Sequence, residues 1–273
     1  MALSNQYMDS KTGVQALWWA RLSHSGLRPQ PAFSLIELLA VIAVIAVLLS
    51  LLLPALLRAQ SRARQAGCIH NMHQLGLGLN QFMADYHVYP MSINADFRKG
   101  GYPEHYSDWI DALEYEGLSA SKNNRFYESG VWHCPSASRP RGFPAEGQYG
   151  SYAYNSYGVG LPQNGDPLGL GGHSMKAGAG ISHPPVTEME VVQPSGMMAI
   201  GESFGGGMEF LRENLQALNR WDASSRHQGK AIVLFCDGHV EPLSVKAVFA
   251  DTDDVALSRW NRDNQPHRER LTP

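Results

Sequence analysis

At 273 residues the chain can hold one sizeable domain plus accessory segments. A net charge of −3 and a pI near 6.4 exclude the basic balance of a nucleic-acid-binding protein. The mean hydropathy of −0.26 is that of a soluble protein, so one strongly apolar stretch leaves the remainder distinctly polar, and 27 glycines with 16 prolines argue for a loop-rich domain rather than a helical bundle.

Residues 1–32 form a leader that carries Lys11, Arg21 and Arg28 but only one acid, Asp9, as expected for a segment kept on the cytoplasmic side. Residues 33–57 follow as an apolar run of about 25 residues, enough to cross a hydrocarbon core of about 30 Å with some tilt. That is longer than the core of an ordinary secretory signal. Arg58, Arg62 and Arg64 flank its far end, so charge alone leaves the orientation open. Glu37 sits inside this run, near one interface. A carboxylate at the centre of a membrane helix costs about 2.5–3.5 kcal/mol, less near an interface, and it is best tolerated beside a cation. A cut before Phe33 would create an α-amine at that depth in a neighbouring copy.

After Pro54 the pattern changes. Ala59, Ala63, Ala66, Ile69, Met72, Leu75, Leu79, Phe82 and Tyr86 recur at spacings of three and four, which predicts that residues 58–87 continue the helix as an amphipathic half. Gly67, Gly76 and Gly78 weaken it by up to about 1 kcal/mol each and mark close packing or a bend. Residues 88–258 read as an outer α+β domain. Asp108 to Gly117 is a short helix ended by glycine, "GVWHCPSASRP" a brief strand running into a turn, "GSYAYNSYGVG" a strand with an aromatic face, and Met197 to Ile200 another strand. The glycine-rich loop "LPQNGDPLGLGGHSMKAGAG" lacks the ending of a phosphate-binding loop. In "AIVLFCDGHVEPLSV", Ala231 to Cys236 and His239 to Leu243 form a hairpin around an Asp237-Gly238 turn, a pair suited to positive φ at both positions. Residues Asp254 to Trp260 form a last helix, and the end of the chain, residues 259–273, is expected to be a disordered tail.

The three cysteines, Cys68, Cys134 and Cys236, contain no C-x-x-C pair and match no zinc spacing. In an oxidising compartment they leave room for one disulfide, with Cys68–Cys134 the candidate, and Cys236 reads as a buried small hydrophobe.

"AFSLIELLAVIAVIAVLL" resembles the N-terminal signature of type IV prepilins and type II secretion pseudopilins. The resemblance implies a membrane peptidase cut between Ala32 and Phe33, N-methylation of Phe33, and an assembly role for Glu37, the fifth residue of the mature chain. Ala32 departs from the glycine usual before the cut. Pro54 stands where pilins often carry a helix-kinking proline. A second signature, "RHQGKAIVLFCDGHV", sets His227 nine residues before Asp237-Gly238 and resembles the H-X9-DG motif of a group of prepilin-like proteins of unknown function (DUF1559); "HCPS" and "GSYAYN" are similar to that group too. The implied fold is pilin-like, a long N-terminal helix packed on a loop-rich antiparallel sheet. The implied role is that of a single-pass inner-membrane subunit whose outer domain lies in the periplasm or on the cell surface. Its partners would be other pseudopilins, the prepilin peptidase and an assembly platform, with no cofactor, metal, nucleic acid or enzymatic activity.

His227 is expected to fix the hairpin by bonding to its turn; a metal site of His227, Asp237 and His239 is the alternative. Catalysis is weaker still, since Ser224 and Ser225 merely adjoin His227, no nucleophile elbow is present, and Glu202 in "GESFGGG" reads as a solvated loop carboxylate. The rival function is a membrane-tethered module that binds carbohydrate or peptide through its tyrosine-rich strand and glycine-rich loops.

Overall fold

The computed structural model describes residues 34–94, 107–115, 117–118, 130–137, 151–160, 166–174, 182–204 and 223–271. The chain divides into two compact units, Met1–Ala55 and Leu56–Pro273. Helix α1, Leu35–Tyr86, carries the boundary within it and has Pro54 inside it. In the first unit every large apolar side chain from Leu35 to Leu53 is exposed, with Val41 the least so at 47%. The segment has a mean hydropathy of 3.0 over its most apolar window and the length to cross a membrane.

The second unit is α+β. Strands β1 (Ile93–Asn94), β2 (Tyr152–Tyr154), β3 (His173–Ser174), β4 (Ser182–His183), β5 (Met198–Glu202), β6 (Lys230–Phe235) and β7 (Val240–Ser244) make two sheets. The larger has the order β2-β5-β6-β7, antiparallel throughout; the smaller is β1-β3-β4. Period-two alternation divides the larger sheet's side chains between two cores. Tyr152, Tyr154, Ile200, Ile232 and Leu234 join Cys68, Met72, Leu75 and Leu79 of α1. Ala153, Met198, Ala231, Val233 and Phe235 join Val248 and Phe249 of α3 (Val245–Phe249), Leu257 of α4 (Asp254–Ser258), and Trp260. Ala231 to Phe235 are therefore at most 2% exposed, which explains why β6 is apolar without a break. The pairing shifts register between Met198 and Ile200, so Ala199 and Ile200 both turn toward α1.

Helix α2, Trp109–Tyr115, follows its expected signals. Asp108 Oδ1 accepts from the N–H groups of Ile110 and Asp111, and Gly117 at φ +98 closes the C-terminus.

Four expectations need correction. The apolar stripe of α1 begins at Cys68, because Ala59, Ala63 and Ala66 are exposed, lying before the turns that the domain covers. Gly130–Trp132 is a 3₁₀ turn, not a strand; its Val131 and Trp132 enter the core without a strand partner. The β6–β7 connection is the four-residue segment Cys236-Asp237-Gly238-His239. Phe235 N–H bonds to His239 O and Gly238 N–H to Phe235 O, and of the two turn residues only Gly238 has positive φ, at +90. The end of the chain is packed rather than disordered. Trp260 and Asn261 are fully buried, Arg262 Nη1 donates to the carbonyls of Pro167 and Gly169, and Arg268 pairs with Asp254. An apolar tryptophan and a satisfied polar network hold a segment whose composition alone reads as a tail.

Candidate functional site

Two places collect the residues that the sequence singled out. The first is the start of α1. Ser34 N–H donates to Glu37 Oε2 at 2.8 Å, and Glu37 N–H donates to Ser34 Oγ at 3.3 Å. This reciprocal pair is a capping box: it satisfies two donors that the first helical turn cannot. Glu37 thus ends its own helix in a single chain, and its carboxylate faces the chain's N-terminal side. Ala32 and Phe33 lie outside the described residues.

The second place is built around His227. Its backbone is left-handed at φ +50, as are Gln228 at +61 and Gly229 at +80, a conformation that costs non-glycine residues about 1 kcal/mol or more. That turn delivers the imidazole into the core on the α1 side of the sheet, where the residue is 4% exposed. Glu202, the last residue of β5 and the cross-strand partner of Tyr152, meets it there and is itself 0% exposed. His227 Nε2 donates to Glu202 Oε1 at 2.9 Å, and Glu202 Oε2 accepts the N–H of Ile232 at 2.9 Å. Arg226 Nη1 approaches Glu202 Oε1 at 3.8 Å, and its guanidinium lies over the Phe204 ring. Burial lowers the pKa of Arg226, against the pull of Glu202.

A disulfide between Cys68 of α1 and Cys134 completes the centre, with Cys134 Sγ 3.3 Å from His227 Nε2. Asn71 Nδ2 donates to His133 O at 2.8 Å, so the segment after the 3₁₀ turn is fastened to α1 twice. Four elements therefore converge: α1, the 130–137 segment, β5 and the turn before β6.

The expected bond from His227 to the hairpin turn is absent, and so is the alternative grouping with Asp237 and His239. His227 precedes β6 and the turn follows it, so a whole strand separates them. His239 Nδ1 instead lies 2.6 Å from Asp237 Oδ1 and its ring stacks on Phe235. Gly238 has its own reason to be glycine: besides its φ, a Cβ would come within 2.9 Å of Asn80 on α1. Glu202 is not the solvated loop carboxylate that its sequence context suggests: it ends β5 and is fully buried. Its signal was its spacing of two from Ile200, which sets it on the same inward face at the end of an apolar strand, where a carboxylate needs a partner. The aromatic strand is core as well. Tyr152 and Tyr154 are 1% and 0% exposed, so these two rings are not available to a ligand, while much of the glycine-rich loop lies outside the described residues.

Residues 27–53 match the family described as the prokaryotic N-terminal methylation motif. Residues 58–115 match the family described as a protein of unknown function (DUF1559). The His227 centre's β5 and β6 residues lie beyond both matches. No curated protein and no solved structure matches the chain.

Proposed function

We propose that the chain is a pseudopilin-like subunit, cut by a prepilin peptidase between Ala32 and Phe33, N-methylated at Phe33, and assembled through α1 into a type II secretion or type IV pilus-like structure. The observation that carries this reading is the methylation motif over residues 27–53, laid on a helix whose large apolar side chains are exposed from Leu35 to Leu57. Such a surface is stable only in lipid or against like helices. Cleavage frees an α-amine beside Ser34. Glu37 of one copy then neutralises that amine on the next, which removes the cost of a lone carboxylate at membrane depth. The outer domain is carried at the surface of the assembly, anchored by the buried half of α1. The partners are further pseudopilins, the peptidase and an inner-membrane assembly platform, and the role is structural rather than enzymatic.

Mass spectrometry of the N-terminal peptide, on protein extracted from native membranes, tests it. A peptide beginning at N-methylated Phe33 is the expected result. An intact leader, or a cut elsewhere, overturns the processing step and the assembly that depends on it. In a processed chain, Glu37→Gln should abolish cross-linkable multimers while leaving the monomer in the membrane.

A further inference from the structure

We propose that Cys68, Cys134, Glu202 and His227 form a four-coordinate site for a divalent cation of the zinc class when the Cys68–Cys134 disulfide is open. The site is independent of the assembly function. Each residue offers one ligand atom, all four side chains are buried, and the four atoms lie within 4.8 Å of one another. Two sulfurs, an imidazole nitrogen and a carboxylate oxygen are a borderline-soft set that suits tetrahedral zinc. With metal–sulfur bonds of about 2.3 Å and metal–nitrogen or –oxygen bonds of about 2.0 Å, the edges of such a tetrahedron run about 3.3–3.8 Å. The Nε2–Sγ separation of 3.3 Å already fits, and the Nε2–Oε1 separation of 2.9 Å needs to open by a few tenths of an ångström.

Several features point the same way. Nε2, and not Nδ1, is the nitrogen turned toward both the carboxylate and the sulfur. It can give its one proton to only one of them, whereas a cation between the three atoms satisfies all of them. The strained backbone at His227 and Gln228 keeps the ring in that position. Glu202 is held by Ile232 N–H through the other oxygen, so Oε1 is oriented for a ligand as an outer hydrogen bond orients a metal-binding carboxylate. Cys236, the remaining cysteine, is outside the cluster, and burial raises its thiol pKa to about 12, so it stays a thiol.

The metal and the disulfide use the same sulfurs and exclude each other. Reduction by a dithiol breaks the S–S bond with two electrons, puts one proton on each sulfur, and closes the dithiol to its own disulfide. Metal binding then releases both thiol protons to solvent as two metal–sulfur bonds form, and the imidazole proton moves from Nε2 to Nδ1, which has no other partner among the described residues, leaving the Nε2 lone pair for the metal. Either occupant ties α1 to the 130–137 segment; only the metal also ties both to β5 and to His227.

The test uses the full chain in detergent, unfolded with a dithiol, freed of reductant under anaerobic conditions, and refolded with Co²⁺. One Co²⁺ per chain is expected, with thiolate charge-transfer absorption in the near ultraviolet and the intense visible bands of a tetrahedral ion. The oxidised chain should show neither. E202Q and H227Q should each weaken Co²⁺ binding at least tenfold, and C236S should leave it unchanged. X-ray absorption of the zinc-loaded wild type decides the matter even where a variant fails to refold. Two sulfurs with two nitrogen or oxygen neighbours supports the site. Any other ligand count, no stoichiometric binding, or unchanged affinity in both variants overturns it.

Discussion

His227 and Glu202 share a buried hydrogen bond of 2.9 Å that joins the turn before β6 to the end of β5, with neither side chain reachable by solvent. Removing one partner of such a pair leaves the other's polar atoms buried without compensation. Glu202→Ala should lower stability by about 3–5 kcal/mol. Glu202→Gln retains an acceptor for Ile232 N–H and should cost less. Thermal unfolding of the two variants under oxidising conditions checks the order; equal losses would mean that the negative charge, and neither bulk nor the acceptor for Ile232 N–H, carries the contribution.

Gly76 and Gly78 lie two residues apart on α1 but should respond differently to alanine. A Cβ at Gly76 would sit 2.8 Å from Leu234 Cδ1, on a strand packed from both faces. Overpacking of this kind costs about 1–3 kcal/mol and outweighs the helix-propensity gain of about 1 kcal/mol. At Gly78 the nearest obstacle is Leu118 Cδ1 at 2.6 Å, the far end of an only partly buried side chain. Gly76→Ala should therefore destabilise the domain and Gly78→Ala should be close to neutral. Denaturant midpoints for the two variants give the comparison.

Glu114 makes part of the stability pH-dependent. Burial, reinforced by Asp111 and then Asp108, raises its pKa to about 7, against a smaller opposing effect from Trp132. In the unfolded chain it titrates near 4.5. The folded form thus holds a proton that the unfolded form has released. Its stabilising contribution is complete below about pH 4.5 and is lost as pH rises through about 7. Glu114→Gln should match the wild type at low pH and exceed it at pH 8. Unfolding curves at the two pH values test the crossing, and a constant difference between them would rule it out.

Asn155 is the polar joint between β2, β5 and the end of the chain. Its Nδ2 donates to Met198 O and Trp260 O, and its Oδ1 accepts from Gly158 N–H, all in a fully buried setting. Asn155→Ala strands three backbone groups at about 1–3 kcal/mol each. The expected result is a domain that is digested rapidly by protease from the C-terminal side. A variant as resistant as wild type would show that the tail is held without this amide.

Much of the fold was legible where a short-range pattern carries the physics. The exposed apolar run before Pro54, the caps of α2, the unbroken apolar β6 and the turn glycine at Gly238 each follow from residue type and spacing. The packed end of the chain was not legible, because Trp260, Asn261 and Arg262 acquire their meaning from the carbonyls of Pro167 and Gly169 and the N–H of Val192, far away in sequence.

The sequence by itself determined that the chain has one apolar helix with a carboxylate at its start, a helical continuation, and a hairpin preceded by histidine. These are properties of neighbours along the chain, fixed by transfer free energy and by periods of 3.6 and 2. Only the tertiary structure decided where His227 points and what Glu202 does. A strand six residues long carries the histidine away from the turn that shares its motif, while β5, running alongside β6 in the opposite direction, brings the end of one strand to the beginning of the other. Strand pairing, not spacing in sequence, puts the carboxylate, the imidazole and the two sulfurs in one buried place.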